Sequence, residues 1–227
     1  MENRTPLDRV MQKAEKYINE TIRNFQYVRD FLKAGMIDNA NTAAFNLAHT
    51  SERLTLLTRE IPCCTGNPHA RVEIDKILEE EIPVKIGYTK EGWFCAVLPS
   101  LLPKKEQGSA EYIQRFLYPG MQRFFSKKVP VYYPHCTIIY RHVYDKSRPE
   151  REFRDHDNIE TYMVTDIVAL FVMNDDSAMR CSHHYCSAKG KENRTEVYVV
   201  HSSEFMDWYM KEKSYPIDGI ELLSDYP

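Results

Sequence analysis

The spacing of apolar residues changes once along this chain, and that change restricts the folds open to it. Over residues 6–60 apolar side chains recur every three or four positions, which is the period of an amphipathic helix. Beyond residue 83, short apolar runs typical of strands alternate with helical segments. This order predicts an α+β fold, a mixed β-sheet with helices, preceded by an N-terminal helical hairpin.

Local signals set the limits of the two hairpin helices. Thr5-Pro6-Leu7-Asp8 is typical of a helix start, with a capping threonine, proline at the first helical position and an acid three residues after the cap. Ala34-Gly35 closes the first helix, and either Asp38 or Asn39 is expected to cap the second. Ile61-Pro62 is expected to end it.

These signals and the remaining segments define the expected domain organisation. The hairpin takes up residues 1–62, and a connecting turn and short helix occupy residues 63–82. The α+β domain covers residues 83–203, and residues 204–227 form an acidic tail with six acids against two lysines. The patterns predict the following elements inside the domain: strands at Val84–Tyr88, Trp93–Leu98, Cys136–Tyr140, Met179–Ser187 and Glu196–Val200, and helices at Ala110–Phe125 and Asn158–Phe171.

Composition excludes several classes of protein. The longest apolar run, Ile167–Met173, is about a third of the length that a membrane-spanning helix requires. The N-terminus has no apolar segment of the kind found in signal peptides. Six cysteines without a CxxC pair are typical of free thiols in a reducing compartment, so a cytoplasmic protein is expected, with no membrane association.

Two histidines and two cysteines lie close together in the segment Cys181-Ser-His183-His184-Tyr-Cys186. On a strand, alternation places Cys181 and His183 on one face and His184 and Cys186 on the other. The spacing also lacks the usual pattern of zinc ligands, so no zinc site is expected.

Two acidic pairs flank a predicted apolar helix. If residues 155–157 are extended, Asp155 and Asp157 present their carboxylates on one side, an arrangement that suits a hard cation such as Mg²⁺. The second pair, Asp175 and Asp176, follows the helix, which returns the chain so that the pairs can meet at one edge of the sheet. A structural interpretation competes with this one. Asp157 and Glu160 have the spacing of a capping box, and Asn174 to Ser177 has turn composition.

The order of these motifs resembles that of RusA-type Holliday-junction resolvases. The resemblance is carried by Asp155-His-Asp157-Asn158, the helix containing Asp166, the Asp175-Asp176-Ser177 turn, and the closing strand Arg194-Thr-Glu-Val-Tyr-Val199. It covers roughly residues 83–200, with specific motifs only from Arg154 onward. It implies a RusA-like α+β domain and a homodimer, because a symmetric junction has two strands to cut.

The resemblance also implies an activity and a set of site residues. Asp155, Asp157 and Asp176 would be the catalytic and metal-binding residues for Mg²⁺, or Mn²⁺, in hydrolysis of a phosphodiester of branched DNA. Arg154, Asn158 and Asp175 would support them. The family lysine four residues after the second aspartate is replaced by Thr161, which leaves two interpretations open. One is an active endonuclease with a relocated cation, supplied by Arg154 or Lys189. The other is an inactive module that binds DNA, or a protein through residues 6–60.

A basic stretch accompanies the acidic motif. Residues 121–154 contain eight basic against three acidic residues, interleaved with tyrosines, which is typical of a surface that holds a nucleic-acid backbone. The alternative is a solvated loop beside half-buried tyrosines. The residues predicted to bind DNA are Arg123, Lys127, Lys128, Arg141, Lys146, Arg148 and Arg151.

Overall fold

The chain forms two compact units, Met1–Lys76 (unit 1) and Ile77–Pro227 (unit 2). The structure is a computed structural model that describes residues 5–106, 108–150 and 153–223. Within these residues it has six α-helices and one five-stranded sheet, so the predicted α+β class is confirmed. No helix of the described ranges has both the length and the apolar character needed to cross a bilayer.

Unit 1 is built on two long antiparallel helices, α1 (Pro6–Lys33) and α2 (Ile37–Cys64). The predicted capping box is confirmed at the start of α1, where the Asp8 amide donates to Thr5 Oγ1 at 3.2 Å and the Thr5 amide donates to Asp8 Oδ2 at 3.0 Å. Gly35, at φ 70°, makes the left-handed turn between the helices. A third helix, α3 (Ala70–Glu81), crosses the division between the units.

The ends of α2 differ from the sequence-based prediction. The N-cap is Met36, one turn or less before the predicted caps, and it makes no side-chain capping bond. The helix also continues through Pro62 to Cys64 instead of ending at Ile61-Pro62.

Unit 2 contains the sheet, whose strands are β1 (Lys85–Tyr88), β2 (Phe94–Leu98), β3 (Cys136–Asp145), β4 (Cys181–Gly190) and β5 (Arg194–His201). The strand order is β1-β2-β5-β3-β4, and every neighbouring pair is antiparallel except β3 and β4, which are parallel. Since β4 is at the end of this order, one of its edges is unpaired within the sheet. The predicted hairpin of β1 and β2 is confirmed.

Two helices, α4 (Ser109–Phe125) and α5 (Tyr162–Val172), cover one side of the sheet, called here the first face. Their apolar side chains pack on the inward residues of all the central strands, and Ile113, Leu117, Ile138, Val164 and Val199 are nearly inaccessible to solvent. The α5 helix connects the parallel strands β3 and β4, because parallel neighbours need a crossover.

The opposite side, the second face, is covered by the C-terminal segment. This segment was expected to be an acidic tail, but it forms α6 (Phe205–Lys211) and inserts Trp208 completely into a second core. Further along, the Leu223 amide donates to the Tyr88 carbonyl at 2.8 Å, which pairs the segment with the end of β1. Residues 204–223 are therefore part of the fold of unit 2.

Candidate functional site

The predicted acidic residues lie at the two ends of α5. Asp155 precedes a 3₁₀ turn, His156–Asn158, so this segment is not extended and alternation does not align Asp155 with Asp157. Both side chains are exposed, as is Asn158. Asp175 and Asp176 follow the helix in an exposed turn before β4.

A shared metal ion would require the carboxylates of the three aspartates to converge. A helix of the length of α5, 11 residues, spans about 16 Å, and it separates Asp157 from Asp176 along the chain. Among the described residues no group of three histidine, cysteine, aspartate or glutamate side chains is placed to hold a metal ion. A Mg²⁺ or Mn²⁺ site at Asp155, Asp157 and Asp176 stays a prediction.

Structural roles account for two acids in these motifs. Glu160 is buried and accepts hydrogen bonds from Ser109 Oγ at 3.1 Å and from the Met163 amide, in the first turn of α5, at 3.4 Å. Asp175 accepts from the Ser177 amide at 3.3 Å, and hydrogen bonding to Ser177 lowers the pKa of Asp175. This is the turn geometry that the structural interpretation predicted for residues 174–177.

A further acid, Asp166, lies in the middle of α5 and is affected by the carboxylates around it. Burial raises the pKa of Asp166, and the nearby carboxylates of Asp176 and Glu160 raise it further. Asp176 also acts on His183 of β4, although burial lowers the pKa of His183 overall. The structure thus brings Asp166, Asp176 and His183 into one electrostatic neighbourhood at the N-terminal end of β4.

Beside these acids, three rings form a row along the first face of β4. His156 stacks on Tyr185 with ring centroids 5.8 Å apart and planes inclined by 27°, and Tyr185 stacks on His183 at 6.3 Å and 16°. His183 is exposed, and the other two rings are half-buried. We call His156, Tyr185 and His183 the ring row.

Two buried rings lie behind the ring row. Tyr140 stacks on Tyr185 at 5.4 Å, and His142 stacks on His156 at the same centroid separation. Burial is the main cause that lowers the pKa of His142 to about 4, and it also lowers the pKa of His156. The histidines are therefore neutral at pH 7. His142 Nε2 and His156 Nδ1 are buried and have no hydrogen-bond partner within the described residues.

Cations stack on aromatic rings at the C-terminal end of β3 and β4. Tyr144 and Phe153 stack face to face at 4.1 Å, with Arg148 over Tyr144 and Lys189 over Phe153 at 5.8 and 6.0 Å. The Arg154 amide donates to the Tyr144 hydroxyl at 3.1 Å, and the Arg154 guanidinium donates to the Leu102 carbonyl. We call Arg148, Arg154 and Lys189 the cation group.

The other predicted DNA-binding residues divide among several places. Lys146 is exposed beside the cation group, whereas Arg123, Lys127 and Lys128 lie at the end of α4. Arg123 forms an ion pair with Glu79 at 3.0 Å, and the Lys128 ammonium lies 5.2 Å from the Phe124 ring centroid. Arg151 lies outside the described residues.

Arg141 does not fit the predicted surface. It points to the second face, where it is buried and pairs with Glu196 at 2.8 Å and Glu212 at 3.0 Å. Burial alone would lower the pKa of Arg141, but the two carboxylates raise it. Since its charge is already neutralised within the core, Arg141 is excluded from the candidate surface.

Sequence reasoning missed the ring row. The alternation of β4 was predicted correctly: His183 lies on the first face and His184 on the second, against Phe205 and Trp208. The same alternation puts Tyr185 beside His183, which was a usable signal. The contact of His156 with Tyr185 had no sequence signal, because it depends on how the loop after β3 folds back.

Comparison with known proteins places the chain in a family. The model of a family of unknown function, DUF6100, matches residues 3–221. No curated protein and no solved structure matches the chain.

Proposed function

This chain belongs to DUF6100, a family of unknown function, and we propose from its geometry that it binds branched DNA through a surface at the edge strand β4 of unit 2. The observation that carries the proposal is the ring row with the cation group beyond it. Bases that lose a stacking neighbour at the branch point of the DNA would stack on the ring row, and backbone phosphates would contact the cation group.

The chemistry of the ring row supports this assignment. Aromatic faces bind bases of any sequence, because every base has a π surface. The lowered pKa values of His156 and His183 keep these rings uncharged at neutral pH, so they act as flat surfaces for stacking.

The resemblance to RusA-type resolvases supports branched DNA as the ligand. It extends over the segment that carries Asp155, His156 and Asp157 before α5 and Asp176 after it. These acids act on the ring row, because the carboxylates of Asp155 and Asp157 raise the pKa of His156, and that of Asp176 raises the pKa of His183, against the larger effect of burial.

The test measures binding of the full chain to a fluorescent four-way junction, with a duplex of equal length as competitor. Tyr185→Ala is expected to weaken junction binding by about 5- to 150-fold, since stacking contributes roughly 1–3 kcal/mol per base. Tyr209→Ala is the matched control, because Tyr209 is an exposed tyrosine of α6 on the second face. Equal affinities of the two variants at equal melting temperatures would contradict the proposal.

A second measurement concerns the cation group. Lys189→Gln is expected to weaken binding to all DNA sequences alike and to lower the slope of affinity against salt by about one unit. Because Lys189 also pairs with Glu150 at 2.7 Å, Glu150→Gln serves as the control and is expected to leave that slope unchanged or raise it.

Cleavage of the bound junction is the second candidate function. It is favoured by the exposed acids at both ends of α5 and by the carboxylate of Asp176, which acts electrostatically on Asp166. The wild-type protein should then nick the junction when Mg²⁺ or Mn²⁺ is added, and Asp176→Asn should abolish nicking while leaving binding intact. Binding without nicking under any divalent cation would leave DNA binding as the function.

A further inference from the structure

Unit 1 has two unlike flanks. The seam between α1 and α2 follows a heptad pattern, with buried or half-buried α1 residues at the positions listed here: 7, 10, 14, 17, 21, 24, 28 and 31. On α2 the corresponding positions are 40, 43, 47, 50, 54 and 57. The residues on either side of this seam form two surfaces that run along the hairpin, which we call its flanks.

One flank is polar and concave. It holds a cavity of about 480 Å³ that is lined from both helices, by Arg23, Asn24 and Tyr27 of α1 and by Asp38, Asn39 and Asn46 of α2, among others. These side chains are compatible with water, so this flank needs no protein partner.

The other flank of α1 is apolar. Met11, Ile18, Phe25 and Leu32 recur at intervals of seven residues, and Ile22 lies between two of them. All five side chains are 42–59% exposed. An apolar stripe that repeats every seven residues matches the surface of another helix, since two helices that wind around each other meet at that interval.

The same flank of α2 is lined by small residues. Ala44, Ser51 and Thr58 each follow a seam position by one residue, as Met11, Ile18, Phe25 and Leu32 do on α1. In an antiparallel helix pair, the residues that follow a given seam position lie on the same flank in both helices. The polar cavity on the opposite flank fits this arrangement, because residues of both helices line it. Ala48 and Thr55 widen the stripe of small residues.

From this pattern we propose that unit 1 is a dimerisation element, in which the apolar flanks of two copies pack face to face as an antiparallel four-helix bundle. The large side chains of one α1 would lie on the small residues of α2 in the second copy. A two-fold axis parallel to the helices produces both contacts at once, so the surface is complementary to itself. This self-complementarity identifies the partner as a second copy of the chain.

The exposed area is consistent with this partner. Five large side chains that are about half exposed present roughly 400–500 Å² of apolar surface, which is at the upper end for a monomer. A stable interface buries about 800 Å² per partner, and the small residues of α2 and the polar rim supply the rest. Close approach of the helices is permitted because Ala44 and Ala48 have short side chains.

The register of α1 against α2 determines which residues of the two copies lie at the same height along the bundle. Arg53 Nη1 donates to the Tyr17 hydroxyl at 3.3 Å, which fixes the register of α1 against α2. Counting eight residues along each helix from that contact places Phe25 at the level of residue 45, which is adjacent to Ala44. Phe25 would therefore contact Ala44 of the second copy.

The experiment determines the mass of the full chain in solution by light scattering after size-exclusion chromatography, over the micromolar range and with thiols reduced because Cys63 is exposed. The wild type is expected to be a dimer. Phe25→Glu and Ala44→Arg are each expected to halve the mass. Gln26→Glu and Glu52→Arg, exposed positions that point away from the seam, are the matched controls and should remain dimeric.

Mixing the two disruptive variants makes the test specific for the contact. In a mixed dimer, the carboxylate introduced by Phe25→Glu in one copy meets the guanidinium introduced by Ala44→Arg in the other, while the second contact stays native. An equimolar mixture should therefore recover the dimeric mass. A monomeric wild type would overturn the proposal, and so would a dimer that Phe25→Glu leaves intact. Circular dichroism must show unchanged helix content for each variant, since both positions are exposed.

Discussion

Glu196 is the residue whose replacement we expect to damage unit 2 most. It is completely buried on β5 and accepts from Arg141 at 2.8 Å, Arg194 at 2.7 Å and the Tyr198 hydroxyl at 2.9 Å. Glu196→Ala would leave two guanidinium groups in the core without their shared carboxylate. The expected loss in free energy of unfolding is about 3–5 kcal/mol, measured by urea denaturation.

Glu150→Ala provides the comparison at the same scale. Glu150 pairs with a single cation, Lys189 at 2.7 Å, but its side chain is 76% exposed. Because water screens such a pair, the loss in free energy of unfolding should be a small fraction of the loss for Glu196→Ala. Similar losses for the two variants would show that the buried network is not a main source of stability.

At the scale of elements, α6 is short but carries one large core side chain. Trp208 is completely buried against Tyr198 and Tyr215, with ring centroids 5.4 and 6.0 Å away. Trp208→Ala would empty this part of the second face, and we expect it to lower the free energy of unfolding by about 3–5 kcal/mol. Denaturant unfolding followed by far-UV circular dichroism measures this change.

The same helix offers its own control. Met210 is 75% exposed, so Met210→Ala should change the free energy of unfolding by no more than about 0.5 kcal/mol. If Trp208→Ala were equally mild, the C-terminal segment would behave as the tail that its acidic composition suggested.

At the scale of the whole molecule, buried histidines are expected to set the response to acid. The folded-state pKa of His142 is about 4, below its unfolded value of roughly 6.5. Between these values the unfolded chain binds more protons, so stability falls as pH decreases through this window. His142 alone accounts for about 3 kcal/mol of this loss, and His156 and His183, whose pKa values are also lowered, change stability in the same direction.

His142→Phe isolates that contribution. Phenylalanine keeps a ring against His156 but binds no proton, so the free energy of unfolding should depend less on pH between about 6.5 and 4. Urea titrations at several pH values measure the slope. An unchanged slope would mean that His142 is not the group that responds.

Elements defined by local signals were predicted well from the sequence. The capping box of Thr5 and Asp8, the hairpin of β1 and β2, and the alternation of β4 depend on residues a few positions apart, and all three are present. The ends of α2 were predicted wrongly, because the helix begins directly after Met36 without a side-chain cap and continues through Pro62 against the local preference of proline.

The sequence by itself determined the α+β class and the N-terminal hairpin through the periodic spacing of its apolar residues, because helix and strand periods are properties of neighbouring residues. Only the tertiary structure decided which charges face solvent and which are neutralised in the core. It buries Arg141 with Glu196, leaves Asp157 and Asp176 at opposite ends of α5, and brings His156 from a distant loop onto Tyr185. These relations depend on the order of strands in the sheet and on the path of the loop after β3, and no local pattern encodes either.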